Sequence, residues 1–300
     1  MAKKMLYLQI SATETNKNIL FSVLFRFYKK EVFTQNKHIM KEIKITEKAH
    51  QEIKKLFSSS RQKVNTLKSD PELTAIFDNF AFDETLEAAE GLVEEKTRVM
   101  CILASCMGCN ALLEFRMYVG AALNVGVKPR EVREIVYQAV PFLGFSRVLC
   151  FLQAMNEVFD DNDIRLPLDD QATTTDEDVN TEGAKMIDAL WGEGNAENML
   201  ETSPKGQEHI VKYMIEYCFG RFYTRKGIDL QHRELITFCM LAGLGGCDDR
   251  LRTHAIGCRN TKISKAEMVA AVTAMLPWIG FPRSLTALNV INDAYNERLM

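Results

Sequence analysis

The phrase PFLGFSRVL at residues 141–149 returns as PWIGFPRSL at residues 277–285, 136 positions later. A chain that spells so particular a stretch twice is constrained to build one structural unit twice, since each copy must place the same apolar and turn residues. At that single offset, without gaps, Arg252 falls on Arg116, Asn260 on Asn124, Glu267 on Glu131, Pro277 on Pro141 and Gly280 on Gly144. Phe281, Arg283, Leu285, Leu288 and Asn292 fall likewise on Phe145, Arg147, Leu149, Leu152 and Asn156. Each unit begins earlier, with HQEIKKLF from His50 or GAKMIDALW from Gly183, followed by a proline step at Pro71 or Pro204. Between the units lies DDNDIRLPLDDQATTTDEDVN, acidic, threonine-rich and poor in large apolar side chains, which reads as a linker. The expected organisation is an N-terminal extension over 1–43, a first domain over 44–160, an acidic linker over 161–180 and a second domain over 181–300.

Within each unit the apolar period is helical. Val132, Ile135, Val136 and Ala139 recur at three- and four-residue steps, as do Met268, Ala271, Val272 and Met275, and alternating β-branched runs are absent. The fold class expected is all-α, two tandem helical domains related by duplication. In the repeated phrase, proline is expected to stop one helix, glycine to permit the reversal, and a new helix to start at Ser146 or Pro282.

Hydrophobic residues make up 47% of the 300 and charged residues 26%, enough apolar material for a packed core in a soluble protein. A net charge of -3 argues against a nucleic-acid partner, and no apolar run is long enough to span a membrane. The first forty residues lack the cleavage pattern of a signal peptide, and Met40 opens the recognisable pattern. Eight cysteines are too sparse for a disulfide scaffold, so the expected compartment is the reducing cytoplasm.

The second unit is the richer in chemistry. RELITFCMLAGLGGCDDRLRTHAIGC reads as an apolar helix, a glycine break, and a new helix opening at Cys247. A thiol there would feel the positive end of the helix dipole. His254 lies seven residues on, roughly 10 Å along the axis but on the same face. Glu234, on the preceding antiparallel helix, is the carboxylate placed to meet it, and a Glu–His pair can act as general acid and base. Taken singly, each has a blander reading: a structural histidine, a small buried thiol, a solvated helix-start carboxylate. The first unit instead holds Cys106 and Cys109, a Cys-x-x-Cys that can cycle through a disulfide when one thiol is acidified, or simply pack. Gly108 is expected to end its helix and Asn110 to cap the next, with Cys109 near that helix's start. Where the second unit has His254 and Glu234, the first has Tyr118 and Arg98. Arg147 and Arg283 start their helices against the dipole, which hints at a carboxylate partner. Trp278 and Arg283 are the candidate substrate contacts. There is no Gly-x-Gly-x-x-Gly, P-loop or nucleophile elbow, and no metal-ligand spacing, so neither cofactor nor metal is expected.

With the repeated P-[FW]-[LI]-G-F-x-R phrase and the Glu–His helix pair in hand, the chain resembles the carboxymuconolactone decarboxylase family, which also contains alkylhydroperoxidase D, as a tandem member over roughly residues 44–300. The resemblance implies an all-helical fold and, for a two-unit chain, a ring of three chains. Its decarboxylase branch implies cofactor-free lactone chemistry. Its peroxidase branch implies a Cys-x-x-Cys followed by His with an upstream Glu, a small-molecule substrate and an external thiol reductant. On this chain His254 matches the family histidine, Cys247 the first thiol and Glu234, within a residue, the glutamate, while Arg250 stands where the second thiol belongs. Cys106 and Cys109 lie five residues upstream of that pair's register. The leading expectation is a thiol-dependent peroxidase, with a cofactor-free decarboxylase or isomerase and a non-catalytic helical ring as the other readings.

Overall fold

The glycine after each repeated proline sets the frame of the fold. In the computed structural model, which describes residues 44–58 and 69–296, Gly144 and Gly280 take φ of 82° and 78°, a backbone region that a side chain disfavours. Each ends one helix and opens the next. Helices α5 (Leu112–Asn124), α6 (Pro129–Leu143) and α7 (Phe145–Asp161) of the first repeat therefore match α12 (Asp248–Asn260), α13 (Lys265–Ile279) and α14 (Phe281–Asn296) of the second, start for start at the 136-residue offset. Pro141 and Pro277 do not end their helices. They sit inside the last turns of α6 and α13, and the terminator is the left-handed glycine that follows.

The remaining described helices of the first repeat are α1 (Glu47–Leu56), α2 (Pro71–Asn79), α3 (Thr85–Ala88) and α4 (Glu95–Gly108), with a π-helical stretch, Phe80–Glu84, joining α2 to α3. Those of the second are α8 (Val179–Trp191), α9 (Asn195–Glu201), α10 (Glu208–Tyr213) and α11 (Leu230–Leu244), with a longer π-helical stretch, Met214–Tyr223, continuing α10. No strand occurs among the described residues. Local chemistry fixes several starts: Ser264 and Glu267 bond reciprocally across the first turn of α13, and Asp229 caps α11 by accepting from the His232 amide at 2.8 Å. The 1–43 extension lies outside the described residues.

The two repeats share one apolar core rather than holding separate ones. Leu103, Cys106 and Met107 of α4 pack in the same buried cluster as Phe238, Cys239 and Met240 of α11 and Ala255 and Cys258 of α12. A smaller cluster forms between α8, α9 and the second π-helical stretch. At the centre α4 and α11 cross running in the same sense, Thr97 beside His232 at their starts and Gly108 beside Gly243 at their ends, with almost nothing between their backbones. A Cβ on Gly108 would lie 2.1 Å from the Met240 carbonyl oxygen, and one on Gly243 would lie 2.5 Å from that of Ser105.

The acidic linker is tied down by the repeats it joins. Arg133 on α6 donates to the Leu168 carbonyl at 2.9 Å and to that of Asp169. Thr173 and Thr174 donate to the Thr224 and Gly220 carbonyls, both at 2.9 Å.

The crossing makes a size test. Gly108→Ala or Gly243→Ala forces a methyl into backbone, so each should lower unfolding free energy by about 1–3 kcal/mol or more. Gly120→Ala in the middle of α5, where an added Cβ meets nothing within 4 Å, should instead gain roughly 0.5–1 kcal/mol. Denaturant unfolding of the three variants checks this.

Candidate functional site

Residues 230–244 form the helix that supplies the carboxylate. Glu234 sits on the first turns of α11, fully buried, and faces α12, where His254 is 5% exposed. His254 Nδ1 stands 3.1 Å from Glu234 Oε2 and 3.3 Å from Oε1. The carboxylate fits there because α12 carries glycine at 257: a Cβ at that position would fall 2.0 Å from Glu234 Oε2. In the first repeat that position is Ala121 and the carboxylate is replaced by Arg98.

Two further groups complete the pair. The Tyr223 hydroxyl, at the end of the second π-helical stretch, donates to Glu234 Oε1 at 2.7 Å and lies 3.3 Å from Thr237 Oγ1. Burial, reinforced by the charge of Glu234, holds the Tyr223 phenol well above its usual range, so it stays a donor. Around the imidazole, Phe142 stands edge-on at 5.1 Å and Trp191 at 5.9 Å between ring centroids. Trp191 is fixed by its indole N–H, which donates to the Thr253 carbonyl at 3.2 Å.

Phe142 belongs to the first repeat, and His254 to the second. The exchange is reciprocal: Trp278, which matches Phe142 at the 136-residue offset, packs at 5.0 Å on Tyr118, which matches His254. Trp278 therefore stands in the first repeat's counterpart of the site, among Tyr118, Phe77 and Phe82. That counterpart is chemically inverted. Arg98 pairs there with Glu52 of α1 at 2.6 Å, both buried.

The thiols are arranged differently from the spacing argument. Cys247 does occupy the N-cap position of α12, without a side-chain capping bond, but burial and the neighbouring Asp248 carboxylate raise its thiol above the ordinary range. Its hydrogen goes to the Leu241 carbonyl, 3.6 Å away. Cys109 lies at the C-terminal end of α4, not at the start of α5, because Asn110 takes a left-handed turn (φ 59°) and α5 starts only at Leu112. At that end the dipole opposes a thiolate. Burial raises the Cys109 thiol, and the Arg283 guanidinium, whose Nη1 is 3.3 Å from the sulfur, offsets this only in part. Cys106 is buried, and its thiol is pushed well above the ordinary value. Arg283 thus contacts Cys109 and lines a cavity of about 280 Å³ with Gly245, Gly246, Asp248, Pro282 and Thr286; neither Glu234 nor His254 lines that cavity. Among the described residues no group of three or more His, Cys, Asp or Glu side chains is placed to hold a metal ion, and no helix is long and apolar enough to cross a membrane.

The model of the carboxymuconolactone decarboxylase family matches this chain twice, over residues 71–157 and 208–293, together more than half its length. The chain belongs to that family. The two matches follow the tandem duplication, one per repeat. The family member 4-carboxymuconolactone decarboxylase of Acinetobacter baylyi is 23% identical over 122 residues, which covers 41% of this chain and 90% of that protein. A solved structure from Burkholderia xenovorans LB400, described as a gamma-carboxymuconolactone decarboxylase subunit, is similar with a TM-score of 0.50 and 16% identity, over 82% of this chain and 96% of that one. At that identity the likeness speaks for the fold.

Phe142, Trp191, Tyr223, Thr237 and Gly257 are site residues that inspection of the second repeat alone does not reveal. Phe142 had a signal, its register with Trp278, which becomes informative once the aromatic positions are known to swap between repeats. Tyr223 had none, because a π-helical segment does not keep the 3.6-residue period.

Raised thiols give a pH test. Alkylation of Cys247 and Cys109 by iodoacetamide should titrate with midpoints above that of a free cysteine, so both react slowly near neutrality and faster as pH rises. Mass-spectrometric mapping of alkylation rate against pH reads this; a midpoint for Cys247 below the ordinary thiol value would contradict it.

Proposed function

We propose that the chain is a cofactor-free acid–base enzyme acting on a carboxylated lactone, by decarboxylation or isomerisation, with Glu234 and His254 as its working pair. The observation that carries this reading is the buried contact of His254 Nδ1 with the Glu234 carboxylate, beside thiols that are held protonated. With Nδ1 committed to Glu234, Nε2 is the nitrogen left to exchange a proton with substrate. In isomerisation Nε2 takes a proton from carbon and returns it to another. In decarboxylation the ring starts as the imidazolium, its Nε2 proton drawn from solvent; the bond to the leaving carboxylate breaks, its electron pair moves into the conjugated lactone carbonyl as CO2 departs, and that Nε2 proton quenches the resulting carbanion. In either case the Glu234 carboxylate stabilises the imidazolium state, the role of the carboxylate in a His–Asp pair. The name of the Acinetobacter relative, a 4-carboxymuconolactone decarboxylase, supplies the candidate substrate class.

Thiol-dependent peroxidase chemistry is the weaker reading. It needs an accessible thiolate and a second thiol to resolve it, and Arg250 occupies the position where the family pattern has that second thiol. His254→Ala should lower turnover of 4-carboxymuconolactone by about 10²-fold or more, the usual contribution of a positioned acid–base group, while Cys247→Ser should stay near wild type. Loss of dithiol-dependent hydroperoxide turnover in Cys247→Ser, with no lactone turnover by wild type, would replace this reading by the peroxidase one.

We also propose that chains associate as a trimer. Support comes from matched apolar pairs one helical turn apart on α7 and α14: Phe145 and Phe281 are 58% and 59% exposed, with Leu149 and Leu285 beside them. Light scattering should give the trimer mass for wild type and a lower mass for Phe145→Glu/Phe281→Glu; a wild-type monomer would refute it.

A further inference from the structure

A line of buried polar groups runs from the first repeat to the Glu234–His254 pair, and its hydrogen-bond direction is fixed from one end. Arg233 is 1% exposed, and a guanidinium can only donate. Its Nη1 is 3.0 Å from the side-chain oxygen of Gln138 on α6, which commits that amide's Nε2 to donate onward. Nε2 lies 3.2 Å from Thr237 Oγ1, so the Thr237 oxygen accepts there and its own proton is free to pass on. The neighbour at 3.3 Å is the Tyr223 hydroxyl, whose single proton is taken by Glu234 at 2.7 Å. Thr237 therefore donates to the Tyr223 oxygen, and Tyr223 to the carboxylate. Every link points the same way: arginine, amide, hydroxyl, phenol, carboxylate. The carboxylate, filled on one side by the phenol, turns its remaining acceptor capacity to His254 Nδ1 and so selects the Nδ1–H ring, which leaves the lone pair on Nε2. Chains of aligned donors also polarise one another in a dry interior.

The far end is anchored too. Arg233 Nη2 and Arg225 Nε hold the fully buried Glu134 of α6 at 3.1 and 3.0 Å. Nothing equivalent exists in the other direction. At the 136-residue offset Glu134 and Gln138 correspond to Ala270 and Ala274 on α13, Arg233 to Thr97 and Thr237 to Cys101. The polar line is built once, into the repeat pair that retains the histidine.

We propose that Tyr223 is the positioning residue that sets the tautomer of His254 through Glu234, and that the first repeat holds it in that role through Gln138 and Thr237. The kinetic part of this proposal rests on the acid–base reading above; the spectroscopic part does not.

The test uses the full chain labelled with ¹⁵N-histidine, the His254 signal being assigned by its absence in His254→Gln. Wild type should show the neutral ring as Nδ1–H. Tyr223→Phe, which removes only the hydroxyl, should show a mixture with Nε2–H, and should lower kcat on the lactone roughly 10- to 100-fold with KM little changed, the range found for groups that orient a functional histidine. Thr237→Val should move both readouts the same way to a smaller extent, while Thr237→Ser keeps the hydroxyl and should match wild type. If Tyr223→Phe does not fold, the Val and Ser pair at 237 carries the comparison. A Tyr223→Phe protein that keeps a pure Nδ1–H ring, or Val and Ser variants that cannot be told apart, overturns the proposal. Lactone turnover that survives His254→Ala removes the acid–base reading alone, leaving the ¹⁵N comparison to decide the positioning role.

Discussion

The crossing of α4 and α11 is the constraint on which the rest depends. Two helices meet with glycine against backbone at both contact points, so no side chain spaces them, and van der Waals contact at that distance fixes both separation and angle. That crossing welds the repeats into a single core and brings α6 of one repeat against the α11 and π-helical stretch of the other. Glu234 is carried on α11 itself, about two and a half turns from the contact at Gly243. A shift at the crossing therefore moves the carboxylate relative to both His254 and Gln138.

Because the halves are packed this way, each repeat finishes its partner's interior. The last turn of α6 sends Phe142 across to His254, and the last turn of α13 sends Trp278 across to Tyr118. The two half-sites have the same skeleton and opposite chemistry. In one, a carboxylate meets an imidazole and a phenol. In the other, an arginine meets a glutamate from α1, and the neighbouring tyrosine packs among aromatic rings. A buried ion pair of that kind is strongly destabilising to break from one side, which explains how the first half keeps its shape without a proton-transfer pair.

Much of the architecture was legible from the repeat alone. The offset pairs the helices that start at 112, 129 and 145 with those at 248, 265 and 281, although the reading from the turn residues puts the last pair one residue late, at 146 and 282, and the cap of the first at Asn110 rather than Ala111. The proline was misleading: inside the last turns it forfeits its own bond to the carbonyl four residues back, yet the helix runs on past it and stops at the glycine instead. The juxtaposition of Glu234 with His254 follows from helical register between antiparallel neighbours. What sequence could not show was which copy's aromatic residue meets which copy's ring, since the 136-residue register says that Phe142 and Trp278 are equivalent and nothing about whose site they enter. The thiols were misjudged in environment for a related reason. The cap position of Cys247 is visible in sequence, that of Cys109 is not because the left-handed turn at Asn110 delays the next helix, and the burial that raises Cys247 and the Arg283 contact on Cys109 are tertiary facts.

The alanines at 270 and 274, which stand where the first repeat has the glutamate and glutamine at 134 and 138, have a consequence for why such halves would be joined at all. Identical subunits meeting across a dyad must carry every substitution on both sides, so a polar line through the interface would have to be tolerated twice. Covalent fusion lifts that restriction: one half is free to become a brace and the other to keep the carboxylate–imidazole pair. The trade is density, one Glu–His pair per two repeats where two identical subunits would carry two, in return for a pair whose orientation no longer has to satisfy a two-fold copy of itself.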